Sequence, residues 1–142
     1  DWAIGNHPAH SGIGRWLGDL NAAYKKLPAL HVGDCEASGF QWIIGNDADA
    51  SILAYARLGD PNDAPVVVAA NFTPIPREGY RIGVPRGGFW REVLNSDAEV
   101  YGGAGMGNSG GMHAEKAGAH GREHSLVITV PPLAVVVFSP EA

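Results

Sequence analysis

Cys35 is the only cysteine in the chain, so no disulfide can close within it. A domain of this kind must hold by its core, and such sparse thiol usage fits a reducing compartment, which makes the cytoplasm the expected location. Cys35 itself reads as a partly buried small residue. Long apolar runs are also missing. None reaches the ~18–20 residues that a membrane span needs, and no signal-peptide pattern opens the chain. Positive charge is scarce, with 10 Lys and Arg against 15 Asp and Glu and a formal net charge of −5. That balance disfavours nucleic acid and anionic membrane as partners, since both reward clustered cations. No initiator Met is present and Asp1 begins in mid-pattern, so the chain is expected to be a truncated piece of a longer protein.

What is abundant is Gly (20) and Pro (10) in 142 residues. The length suits about one domain, which buries roughly 68–70% of its unfolded surface. Residues 1–11 read as loop. Apolar residues then recur at Ile13, Trp16, Leu17, Leu20, Tyr24 and Leu27, with helical spacing. Ser11 is a candidate N-cap and Pro28 a stop, so a helix over 12–27 is predicted. Beyond it the period shortens. Phe40–Ile44, Ser51–Leu58, Val66–Phe72, Tyr80–Val84, Phe89–Leu94, Ser125–Val130 and Leu133–Phe138 read as strands, punctuated by Gly, Pro, Asn and Asp. In Ser51–Leu58, the residues Ile52, Ala54, Ala56 and Leu58 share one face. About eight short strands with frequent turns suggest an all-β, two-sheet antiparallel sandwich. Residues 95–124 form a long Gly-rich connection, of the kind that is usually functional or mobile inside a small domain.

The stretch Val68–Gly103, VAANFTPIPREGYRIGVPRGGFWREVLNSDAEVYGG, resembles the C-terminal β-domain of bacterial 1,4-α-glucan (glycogen) branching enzymes, of the α-amylase superfamily. So do GRWLGDLNAAYKKLPALHVGD (Gly14–Asp34) upstream and HGREHSLVITVPPLAVVVF (His120–Phe138) downstream, in the family's order. The resemblance implies a Greek-key-like sandwich over residues 35–142, with residues 1–34 as the end of a (β/α)8 catalytic barrel and the helix as its last helix. It implies transfer of an α-1,4-glucan segment to a sugar 6-hydroxyl, by retaining double displacement between two carboxyl groups about 5–5.5 Å apart. In the superfamily those groups stand at the C-terminal ends of barrel strands. Their motifs map to no position here, so no residue is assigned a catalytic role and the chain alone is expected to be inactive. The implied partners are the catalytic barrel and α-glucan or glycogen. No cofactor is expected.

The remaining candidates are binding groups. Trp42 and Trp90 are the candidate glucan contacts, since flat rings receive the C–H faces of glucose, although strand tryptophans default to burial. The spacing of His120 and His124 matches H-x₃₋₅-H, and His113, His7 and His10 are further imidazoles, but no helix sets two rings on one face. No metal is therefore expected. Asp47, Asp49, Asp60 and Asp63 lie in turn sequences, where carboxylates cap N–H groups, and Asp97 and Glu99 also read as structural. A free-standing carbohydrate-binding module and a metal-binding β-domain are the alternatives to an accessory domain. If Ile13, Trp16, Leu20 and Tyr24 normally face a barrel, the helix must fold onto its own sandwich, self-associate or stay loose.

Overall fold

Apolar, often β-branched runs alternate with turn residues from Phe40 onward, and these runs become strands. The computed structural model describes residues 1–141, the side chain of Ala9 excepted. Its strands are β1 (Phe40–Asp47), β2 (Ile52–Arg57), β3 (Val66–Asn71), β4 (Arg77–Val84), β5 (Phe89–Asn95), β6 (Gly111–His113), β7 (His124–Val130) and β8 (Val135–Pro140). They form two antiparallel sheets, one ordered β1-β2-β3-β8-β5-β6 and one of β4 and β7. Seven of these fall on runs legible in the sequence. β6 does not: it lies within the Gly-rich connection and pairs with β5, Trp90 opposite Met112.

The sheets enclose one core. Ile52, Ala54 and Ala56 of β2 point into it at alternate positions, with Val67, Trp90, Val136 and Phe138 beside them. The small sheet answers with Ile82, Val84, Leu126, Ile128 and Val130. β8 pairs with β3 on one side and β5 on the other. Its Val136 and Phe138 face the core between the sheets, while Val137 faces outward into a second cluster with Val66, Val68 and Leu94.

Helix α1 (Pro8–Lys26) covers that second cluster. It starts four residues earlier than the predicted residue 12. Proline suits a first turn, where its missing N–H has no helical partner and its φ is preset. Ser11 is therefore not the N-cap but sits inside the helix, its hydroxyl donating to the Pro8 carbonyl at 3.2 Å. Trp16, Ala23 and Leu27 pack onto the sheet, whereas Ile13, Leu17, Leu20 and Tyr24 form an adjacent exposed stripe. So the helix does fold onto its own sandwich, but with only part of its apolar surface. Its middle and its C-terminal part are tied down. Tyr101 stands edge-on to Trp16 at 5.2 Å, and its hydroxyl donates to Asp19 at 2.7 Å. Burial first, then this bond to Asp19, pushes the Tyr101 pKa up to about 12. Near the C-terminal end, Tyr24 donates to Asp34 at 2.9 Å, and Arg57 of β2 donates to the same carboxylate at 2.5 Å.

The long connection is fastened by amides and a carboxylate. The Asn95 amide donates to the Met106 carbonyl at 2.8 Å. Asp97 accepts from the N–H groups of Ala104 and Met106, each at 3.1 Å. Asn108 brackets β7, donating to the Thr129 carbonyl at 3.0 Å and accepting the Thr129 N–H at 2.7 Å. At Gly103 any Cβ would collide with the Asp97 backbone, so the tight return requires glycine.

Trp90 is fully buried, and its indole N–H donates to the Arg86 carbonyl at 3.1 Å. A glucan cannot reach it, and that expectation is corrected: in a strand with the inward register of Trp90, burial of the large ring prevails. Trp42, by contrast, is 56% exposed. Trp90→Ala should lower unfolding free energy by about 3–5 kcal/mol, whereas Trp42→Ala should change it by only about 0.5 kcal/mol. Urea unfolding of the two variants measures both.

Candidate functional site

Trp42 belongs to an aromatic platform on the outer face of β1 and β2. The register places Phe40 opposite Arg57 and Trp42 opposite Tyr55. A bulge follows Trp42, so that Ile43 and Ile44 are both buried while the indole stays outside. Phe40 stacks on Tyr55 with centroids 5.2 Å apart and rings 28° from parallel. Trp42 stands edge-on to both, at 5.0 Å from Phe40 and 6.2 Å from Tyr55. Arg122 reaches across from the β6–β7 connection, its guanidinium donating to Gln41 Oε1 at 3.3 Å and to the Trp42 carbonyl at 3.5 Å. Arg57 donates to the Gly39 carbonyl at 3.0 Å, which holds the strand entry beside Phe40. The platform offers ring faces with polar groups at its border. It is suited to stacking against a flat, partly apolar ligand, not to bond cleavage.

The other candidates are dispersed. Asp47 accepts from the Ala50 N–H at 3.0 Å and from the Tyr80 hydroxyl at 2.6 Å, and these bonds, that of Tyr80 foremost, hold its carboxyl below the usual range. Asp63 caps the Asp60 N–H at 2.9 Å. The two histidines with metal-like spacing point to different places. His120 Nδ1 accepts the Gly83 N–H at 3.1 Å, while the His124 ring lies against Gly87. Among the described residues, no three His, Cys, Asp or Glu side chains are grouped to hold a metal ion. Cys35 is exposed rather than partly buried, because it lies in the turn between the helix and β1. Sequence reasoning missed Phe40 and Tyr55 as platform members. The pairing of β1 with β2 brings them to Trp42, and no single-strand pattern states that pairing.

Residues 42–141 match the family described as the alpha amylase C-terminal all-beta domain. The chain belongs to that family. The match begins at Trp42, so α1 lies outside it, but similarity to longer relatives continues through the helix. A 1,4-alpha-glucan branching enzyme GlgB from Pseudomonas putida is 49% identical over 140 residues, 99% of this chain. A protein of the same name from Cereibacter sphaeroides is also 49% identical over 99% of the chain. One from Xanthomonas oryzae pv. oryzae is 48% identical over 98%. The chain spans 19% of the length of each of these relatives. The chain thus comprises a C-terminal all-beta domain with an aromatic outer face, preceded by helix α1.

His120 supplies a test of how the Arg122 connection is held. Burial, then the nearby Arg122 charge, lowers its pKa below the ordinary 6.5, with Asp47 opposing. The neutral ring is the form that accepts the Gly83 N–H. A histidine with a depressed folded pKa stabilises fully above its unfolded value, and that contribution is lost as pH falls through the lower folded value. Thermal stability should therefore decline on acidification from about pH 7.5 to 5.5. His120→Asn, which tolerates the left-handed φ of 51° found there, should flatten the decline. Melting curves across that range check both.

Proposed function

We propose that this chain is the C-terminal accessory domain of a glycogen branching enzyme. On this reading the whole protein moves an α-1,4-glucan segment to a 6-hydroxyl by retaining double displacement, forming α-1,6 branches in the cytoplasm. The carboxylates of that chemistry stand on a catalytic barrel, of which residues 1–34 are the last part, and residues 35–142 brace it. Identity of 49% over 99% of the chain to a protein named as a branching enzyme supports the assignment. The observation that carries the bracing role is the stripe of Ile13, Leu17, Leu20 and Tyr24, which is left uncovered although the helix already packs on the sandwich. Burying each large side chain of that kind against a neighbouring domain is worth roughly 1.5–3 kcal/mol. The net charge of −5 offers neither nucleic acid nor anionic membrane a counterpart. No helix among the described residues is long and apolar enough to cross a membrane.

A second role is favoured by the Phe40–Trp42–Tyr55 platform, in which the exposed Phe40 and Trp42 rings, backed by the half-buried Tyr55, are matched to the C–H faces of glucose. We propose that the domain touches α-glucan through Trp42, so that the carbohydrate-binding reading and the accessory reading describe one domain.

Alone, the chain should leave the iodine colour of amylose unchanged; a fall in absorbance would refute the assignment of the chemistry to the barrel. In a glycogen-containing native gel it should be retarded, and Trp42→Ala should migrate as in a glycogen-free gel. At high concentration the bare stripe should drive weak self-association. Leu17→Glu should abolish it without lowering the melting temperature, as sedimentation equilibrium would read.

A further inference from the structure

The platform does not end at Trp42. Gly45 lies just beyond it on β1, and a Cβ added there would sit 3.4 Å from the Trp42 indole. The indole thus lies over Gly45, and Gly45 in turn lines a depression of about 230 Å³ with Asn46, Asp47, Ser51, Leu53 and Phe72. Phe72 forms its far wall and is 62% exposed, a large ring left in water at the end of a strand. The backbone that carries the ring is held in place. The Phe72 N–H donates to the Ser51 carbonyl at 3.1 Å, and next to it the Asn71 amide binds the Ile75 and Pro131 carbonyls at 2.8 and 3.1 Å. Ser51 holds a left-handed φ of 52°, its hydroxyl donating to the Ala48 carbonyl at 3.1 Å. The Asn46 carboxamide makes no hydrogen bond among the described residues and borders the depression.

Register sets the distance between the two aromatic stations. Trp42 pairs with Tyr55, and Phe72 bonds to Ser51, four residues along β2 and two strands across. At ~3.3 Å per residue and ~4.8 Å per strand, the diagonal is roughly 16 Å. A single sugar ring cannot bridge that span, but a chain of several can.

We propose that the depression walled by Phe72 is a second sugar subsite, and that with the Trp42 platform it forms one track for a linear α-1,4-glucan. This rests on the reading of Trp42 as a glucan contact. The glucan lays one ring on the Trp42 indole, which covers Gly45, and sets another against Phe72 at the far side of the depression. The free Asn46 carboxamide supplies a donor and an acceptor to sugar hydroxyls.

The test is chain-length dependence, measured by calorimetric titration of this chain with maltotriose and maltoheptaose. The heptasaccharide should bind roughly fivefold more tightly than the trisaccharide, an increment equal to ~1 kcal/mol. Phe72→Ala should erase that advantage while leaving maltotriose affinity unchanged, and Phe72→Trp should restore it. Trp42→Ala should weaken both sugars. If Phe72→Ala keeps the heptasaccharide advantage, with its melting temperature intact, the second subsite is wrong and the Trp42 platform stands. If neither sugar binds, or Trp42→Ala binds both as well as the unmodified chain, the platform reading falls and the track falls with it.

Discussion

Burial of β8 on both faces is the constraint on which the rest of the molecule depends. An interior strand needs partners at both edges, supplied by β3 and β5, and cover above and below. The small β4–β7 sheet covers the side of Val136 and Phe138, and α1 covers the side of Val137. The layers are therefore helix, large sheet and small sheet. Removing the helix would expose Val66, Val68, Leu94 and Val137 together, so the sandwich relies on α1 for cover even though the helix falls outside the family match.

The helix has two obligations. Trp16, Ala23 and Leu27 satisfy the sandwich, and the neighbouring stripe remains available. The Tyr24–Asp34–Arg57 bridge and the Tyr101–Asp19 bond fix its rotation, so that the stripe is presented in one orientation. A surface held in this way is preorganised for a neighbour and loses little further freedom on docking. The aromatic platform follows the same logic. Its rings brace one another, and Arg122 fastens the strand beneath them.

Most of this architecture was legible in the residues because period and punctuation agree. Val66–Asn71 reads as an interior strand from its side chains alone, and the alternation of Ile52, Ala54 and Ala56 gives the inward face correctly. Where legibility failed, the information was non-local. β6 is a three-residue strand whose only signal is its pairing to β5 across a Gly-rich connection. Trp42 and Trp90 look alike in sequence, each an aromatic within a strand. Their fates differ because a bulge sets one outward and register sets the other inward. The helix start was misplaced because Ser11 offers a cap while Pro8 offers a first turn, and three residues decide between them.

The bracket that Asn108 forms around Thr129 has a bearing on chemical ageing. Its amide nitrogen also donates to the Glu92 carboxylate, so the site needs a donor there. Asparagine is a thermolabile residue, and the one following it, Ser109, is small. Spontaneous hydrolysis of that amide to a carboxylate would replace the donor with a negative charge facing Glu92 and the Thr129 carbonyl, leaving like charges opposed. The Gly-rich segment would then lose one of its fastenings to β7 without any change in the gene, while the Glu115–Ser125 backbone pairing remained.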